Sequence, residues 1–203
     1  YYGFSNEGLW PLCHVAYTRP VFSESDWKTY KAVNQKFAEN VLDEVGNRKA
    51  FVFIQDYHLA LMSRFIKRNN PNIITAQFWH IPWPNPEAFR ICPWQEEILD
   101  GLLGNDLIGF HIQYHCNNFL DTIDRVVEAR IDRERYTVIK GGEKTLVRPF
   151  PISVDFEEIS REAQEESILR EIMSLREKLG LEKEFIGIGA DRIDYTKGIP
   201  ERI

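Results

Sequence analysis

Residues 50–58 read Ala50-Phe51-Val52-Phe53-Ile54-Gln55-Asp56-Tyr57-His58. The first five are apolar and the run then stops at a polar pair. So short and so apolar a run suits a strand buried on both faces of a parallel sheet. In sheets of that kind, ligands bind beyond the carboxyl ends of the strands, where Asp56 and His58 stand.

Upstream, Trp27, Tyr30, Val33, Phe37, Ala38, Val41, Leu42 and Val45 recur at helical spacing, and Gly46 follows them. The spacing predicts a helix over 27–45, with Ser23 or Ser25 as its cap. Residues 4–14 are dense in aromatic and turn residues and read as a packed loop entering a short helix. Downstream, helices are expected at 58–68, 93–103 and 114–129, and strands at 72–79, 106–110 and 150–154. Gly141-Gly142 between alternating arms marks a hairpin over 137–147. The highly charged stretch 155–178 keeps an apolar stripe and reads as one amphipathic helix. A last strand is expected at 184–189. Strand and helix alternate almost throughout, so the expected fold class is α/β with a mainly parallel, Rossmann-like sheet.

The chain has 203 residues, 43% of them hydrophobic, which is enough for a sizeable core. A net charge of -6 gives no support for a nucleic-acid partner. Cys13, Cys92 and Cys116 are scattered and odd in number, which speaks against a disulfide framework and for a reducing compartment. No apolar run approaches the ~20 residues needed to span a bilayer. The expected location is the cytoplasm, with no membrane partner, and a homo-oligomer stays open. The chain reads as a fragment of a longer enzyme.

Three loops that follow expected strands carry the chemistry. In residues 189–198, GADRIDYTKG, Arg192 and Lys197 lie five apart ahead of an expected helix. A guanidinium grips a diphosphate bidentately, an ammonium acts as a mobile point charge, and a helix start adds backbone donors. A surface ion pair of Arg192 with Asp194 is an equally good reading of the same residues. Asp56, taken by itself, is best read as a helix cap, and His58 as a helix-start residue. His80 stands before Pro82, Pro84 and Pro86, which stiffen its loop. By itself it is best read as a core histidine with a local hydrogen bond. His111 and His115 share the i, i+4 spacing of some metal sites, but no third ligand is evident and no metal is expected. Paired carboxylates such as Glu96-Glu97 and Glu157-Glu158 splay apart on a helix and read as solvated faces.

Five stretches in order carry a resemblance: YYGFSNEGLWP at 1–11, FIQDYHL at 53–59, FWHIPWPNPEAFR at 78–90, GLLGNDLIGFH at 101–111 and ADRIDYTKGIPER at 190–202. Together they resemble the motif series of the trehalose-6-phosphate synthases, and the match runs the length of the chain. The resemblance implies a GT-B architecture, two Rossmann-like domains facing a cleft. Residues 1–155 would form most of the acceptor-side domain and 156–203 the start of the nucleotide-sugar-binding domain.

The resemblance also implies a retaining transfer of glucose from a nucleotide sugar, UDP-glucose above all, to glucose 6-phosphate. No cofactor and no metal would be needed. Carried over by motif, Arg192 and Lys197 would hold the donor diphosphate and His80 would contact the donor sugar. Asp56 would lie between donor and acceptor, and Tyr1 and Trp10 would line the acceptor pocket. Asp56, His80, Arg192 and Lys197 are thus the expected catalytic set. The chain departs from the common pattern at Tyr2-Gly3, where asparagine-glycine is frequent, and at Trp83, where phenylalanine is common. The alternatives are therefore a glucosylglycerol-phosphate synthase using glycerol 3-phosphate, and a catalytically silent sugar-phosphate sensor with the same fold.

Overall fold

The computed structural model describes residues 1–16 and 18–203. They form two compact units, Tyr1–Pro151 and Ile152–Ile203.

In the first unit, a π-helical segment Tyr2–Leu9 runs into α1 (Trp10–His14). The long helix α2 (Glu24–Val45) follows. Its N-cap is Ser23, whose hydroxyl bonds Ser25 Oγ at 2.7 Å and caps no backbone N–H. Gly46, at φ 54°, closes the helix in a conformation that a side chain would strain. Then come β1 (Phe51–Gln55), a 3-10 turn (Tyr57–Leu59) and α3 (Met62–Asn69). The helix expected at 58–68 thus starts four residues late, because Asp56 leaves the strand at positive φ and the chain turns tightly first.

β2 (Ile74–Phe78), the short α4 (Pro86–Phe89), α5 (Gln95–Leu102), β3 (Leu107–Phe110) and α6 (Gln113–Val126) complete the alternation. A three-residue strand β4 (Arg130–Asp132), which the sequence pattern did not predict, leads into the hairpin β5 (Thr137–Lys140) and β6 (Glu143–Pro149). The six strands lie in the order β1-β2-β3-β6-β5-β4. β1, β2, β3 and β6 are parallel, while β5 and β4 are antiparallel additions. The chain is α/β with a mostly parallel sheet, as the alternation indicates.

The strand expected at 150–154 does not form. The Phe150 N–H makes the last sheet bond, to Phe110 O at 2.7 Å, and Pro149 and Pro151 offer no N–H to extend the ladder.

The main core joins the aromatic residues of the N-terminal segment to those of the 80s loop and α6. Trp79, Trp83, Phe89, Phe110 and Phe119 are all fully buried. Each such side chain contributes about 1.5–3 kcal/mol by leaving water. Gly101 lets α5 approach α3's entry loop, since a Cβ there would meet Ala60 O at 2.5 Å.

The second unit holds α7 (Phe156–Glu162), α8 (Glu166–Leu179), a 3-10 turn (Tyr195–Lys197) and the four-residue α9 (Ile199–Arg202). The single helix expected over 155–178 is therefore two. Asp155 caps the first by accepting from Glu158 N at 2.9 Å. The apolar stripe steps by five between Ala163 and Ile168, which breaks helical spacing at the observed junction. The strand expected at 184–189 is also absent. Phe185 and Ile188 are fully exposed, and no described residue in this unit offers a strand for the segment to pair with.

Candidate functional site

The site grows from the carboxyl ends of three neighbouring parallel strands. β1 ends in Gln55 and is followed by Asp56, β2 is followed by Trp79-His80, and β3 by His111.

Asp56 has φ 64° and ψ -177°. Side chains rarely occupy that backbone region, which is essentially reserved for glycine and costs of order 1–3 kcal/mol elsewhere. Four hydrogen bonds hold it. Its N–H donates to Phe78 O at 2.7 Å, and its carbonyl accepts from Gln77 Nε2 at 2.9 Å. Its Oδ1 accepts from the N–H of Tyr57 at 2.8 Å and from the N–H of His80 at 3.3 Å. The carboxylate does cap the following turn. It also reaches across to the next strand's loop, which a simple cap does not need.

His80 is exposed at the mouth of this arrangement, so the core-histidine reading of it fails. Its Nε2 lies 2.8 Å from Gln55 Oε1. Its ring stands edge-on to Phe78 at 4.6 Å and to His111 at 5.7 Å. The proline-rich loop behind it is pinned from α6. Asn118 Nδ2 donates to Trp83 O at 3.0 Å, and His115 Nδ1 lies 3.2 Å from the same oxygen. The indole N–H of Trp83 donates to Thr122 Oγ1 at 3.0 Å, so the extra polar atom that tryptophan brings has a buried partner.

The segment after Asp56 is fastened to α2. Tyr30 Oη donates to Tyr57 O at 2.6 Å and accepts from Ala60 N at 3.0 Å. Asn34, fully buried, donates to His58 O at 3.1 Å and accepts from Leu61 N at 2.9 Å. Around this segment the aromatic residues converge. Tyr1 stacks on His58 at 4.8 Å, Tyr57 stacks on His58 at 4.1 Å, and Trp10 lies 6.1 Å from Tyr57. Tyr57 Oη donates to Asn6 Oδ1 at 3.0 Å. The structure thus gathers Asp56, His80, Tyr1 and Trp10 about one strand-end segment. Burial lowers the pKa of His58, and the nearby Asp56 carboxylate opposes that shift only in part.

His111 and His115 do not converge. His111 packs its ring edge-on to Phe78 at 4.9 Å, while His115 turns to the Trp83 carbonyl. Among the described residues, no group of three or more His, Cys, Asp or Glu is placed to hold a metal ion. The cysteines are buried, and burial pushes Cys92 up to about 12 and Cys116 to about 11, which makes neither a ready nucleophile.

Arg192 and Lys197 belong to the second unit. Asp194 caps the turn before Lys197, accepting from Thr196 N at 2.9 Å and Thr196 Oγ1 at 2.7 Å. Those two bonds, with lesser help from Arg192 and Lys197, hold the Asp194 carboxyl below its usual range. Arg192 Nη2 stands 3.9 Å from Asp194 Oδ2 and its side chain is 73% exposed. That is a loose surface pair which leaves the guanidinium available. Gly198 turns the chain at φ 60° into α9.

Sequence reasoning did not pick out Gln55, Gln77 or Asn34, nor His111 as a neighbour of His80. For Gln77 a signal existed, since an amide inside the apolar stretch Ile73 to Trp79 needs a buried partner.

Comparison with known proteins decides the family. Residues 1–203 match the sequence profile of Glycosyltransferase family 20. The chain belongs to that family. Trehalose-6-phosphate synthase of Mycobacterium sp. (strain JLS) is 37% identical over the whole chain, which covers 43% of the relative's length. The Mycobacterium ulcerans protein of the same name is 38% identical, again over all of the chain and 42% of its own length. An E. coli structure described as trehalose-6-phosphate bound with UDP-2-fluoro glucose matches the whole chain and 44% of its own, with TM-score 0.83 at 27% identity. A UDP-forming trehalose-phosphate synthase from Burkholderia xenovorans does so with TM-score 0.83 at 26% identity. The chain therefore spans less than half the length of these relatives. No helix among the described residues is long and apolar enough to cross a membrane.

Proposed function

We propose that the protein, at its natural length, is a cytoplasmic retaining glucosyltransferase. It moves glucose from UDP-glucose to glucose 6-phosphate, giving trehalose 6-phosphate and the nucleoside diphosphate. One observation carries the reading: the strained Asp56, whose carboxylate accepts from the His80 N–H while its backbone is held by β2. Strain kept at a strand end of a family 20 chain is better spent on a substrate than on folding. The relatives' names and the E. coli structure's UDP-sugar support the donor and acceptor classes.

In this mechanism Asp56 and His80 set the donor glucose against the acceptor, and Tyr1 and Trp10 flank the acceptor. Residues 1–155 supply the acceptor side and 156–203 the start of the donor side. Arg192 and Lys197 offset the charge that builds on the diphosphate as the C1–O bond breaks. The acceptor hydroxyl forms its bond to C1 on the same face, and an oxygen of the departing phosphate takes its proton. Two side-chain cations make a metal unnecessary in this scheme.

The test offers the natural-length protein UDP-, ADP- or GDP-glucose with glucose 6-phosphate or glycerol 3-phosphate. Release of UDP with glucose 6-phosphate, unaffected by chelator, is the expected result. Turnover only with glycerol 3-phosphate would overturn the acceptor assignment. Saturable sugar-phosphate binding without any turnover would overturn the enzyme.

A further inference from the structure

Gln77 is fully buried in the middle of β2. The register places it opposite Ile54 of β1 and Ile108 of β3, on the sheet face to which Asp56 returns two residues beyond Ile54. A primary amide in that position must find partners, and it has two. Its Nε2 donates to the Asp56 carbonyl at 2.9 Å, and its Oε1 accepts from Asn105 Nδ2 at 3.0 Å. Asn105 is itself buried, and its Nδ2 also donates to Leu102 O at 3.0 Å. A chain of amides thus runs from the end of α5, across the sheet, to the one backbone carbonyl whose direction fixes the unusual Asp56 geometry.

Relaxing Asp56 to an ordinary extended conformation would turn that peptide and break the Gln77 bond. The same movement would pull Oδ1 from the His80 N–H. The hydrogen-bond partners of the Gln77 side chain are Asp56 and Asn105, and of these Asp56 alone belongs to the site, so its route to the chemistry is Asp56.

We propose that Gln77 is a positioning residue for the transfer, holding the Asp56 peptide so that the Asp56 carboxylate and the His80 loop keep one fixed relation. The inference rests on the reading of Asp56 as the group between donor and acceptor.

The test is made in the natural-length protein. Gln77→Met keeps the side chain's length and removes both hydrogen-bonding groups. Turnover should fall about ten- to a hundredfold, as small misplacements of reacting groups do, with KM for the nucleotide sugar nearly unchanged. In an Asp56→Asn background the same substitution should cost little further, because its effect passes through the carboxylate already removed. An equal fold-loss in both backgrounds would leave Gln77 a merely structural role and overturn the proposal. If Gln77→Met does not fold, Asn105→Ser withdraws the anchor of Gln77, together with the Asn105 bond to Leu102 O, and should lower turnover in the same direction by less. Unchanged turnover there would count against the relay.

Amide hydrogen exchange separates this inference from the functional one. Faster exchange at Tyr57 and His80 in the variant, in a protein that turns over no donor–acceptor pair, keeps the hold on Asp56 and loses only the reaction. Unchanged exchange at both amides overturns the hold whatever the activity.

Discussion

The strand-end site of the first unit and the loop of the second are built on opposite principles. Asp56 sits in a backbone conformation that favours glycine, tied by bonds from Tyr57, Gln77 and His80 and by its own N–H to Phe78 O. Arg192 is mostly exposed, and its guanidinium stands 3.9 Å from the Asp194 carboxylate. On the proposed reading, Asp56, which would fix geometry, is over-determined by the sheet behind it. Arg192, which would meet the diphosphate, is left exposed just ahead of a capped turn. Removing the cations of the second unit should therefore cost little stability, whereas emptying the buried packing behind the first site should cost much.

The largest expected effect lies in the packing that carries the first site. Phe89→Ala empties a fully buried ring that stacks on Trp83 at 4.5 Å, and should cost about 3–5 kcal/mol in chemical denaturation. A loss below 1 kcal/mol would mean that the loop behind His80 is not anchored as described. Next comes Arg192→Ala, which should lower turnover roughly a hundredfold or more while leaving the melting temperature nearly unchanged. A near-normal rate would remove Arg192 from the chemistry, and a large melting shift would erase the contrast between the two regions.

A smaller effect is expected from pH. Burial lowers the pKa of His58 and of His115 below the ordinary 6.5. The unfolded chain then takes up protons near 6.5 that the folded chain refuses, so stability is full above that value and declines as pH falls through it. His115→Asn, which can keep a donor to the Trp83 carbonyl, should flatten the acid side of a melting-temperature profile. An unchanged profile would show that His115 is not held neutral.

The architecture was legible where patterns are local. The apolar run 50–54, the stripe of 27–45 and the glycine pair at 141–142 each specify an element by their own spacing. The first is a strand as expected, but not one buried on both faces, since Phe51 and Phe53 are exposed. Reading failed where a partner decides. Residues 184–189 have strand composition and no strand to pair with among the described residues of their own unit, and residues 150–154 are stopped by prolines that disable the ladder. The site divides in the same way. Asp56, His80, Arg192 and Lys197 were visible as polar residues after expected strands, although the strand expected ahead of Arg192 and Lys197 does not form. The positive φ of Asp56 was not, because the bonds that hold it reach Gln77, Phe78 and His80, more than twenty residues further along the chain.

The central claim is that Asp56 is kept strained for a substrate. Asp56→Gly tests it most directly, because glycine accepts φ 64° and ψ -177° without penalty and its cap loss is only a few tenths of a kcal/mol. Melting temperature and turnover are measured together on the natural-length protein. The account predicts a melting temperature unchanged or raised, with turnover lowered about a hundredfold or more. A clear drop in melting temperature with turnover near normal would show that Asp56 serves the fold, and would contradict it.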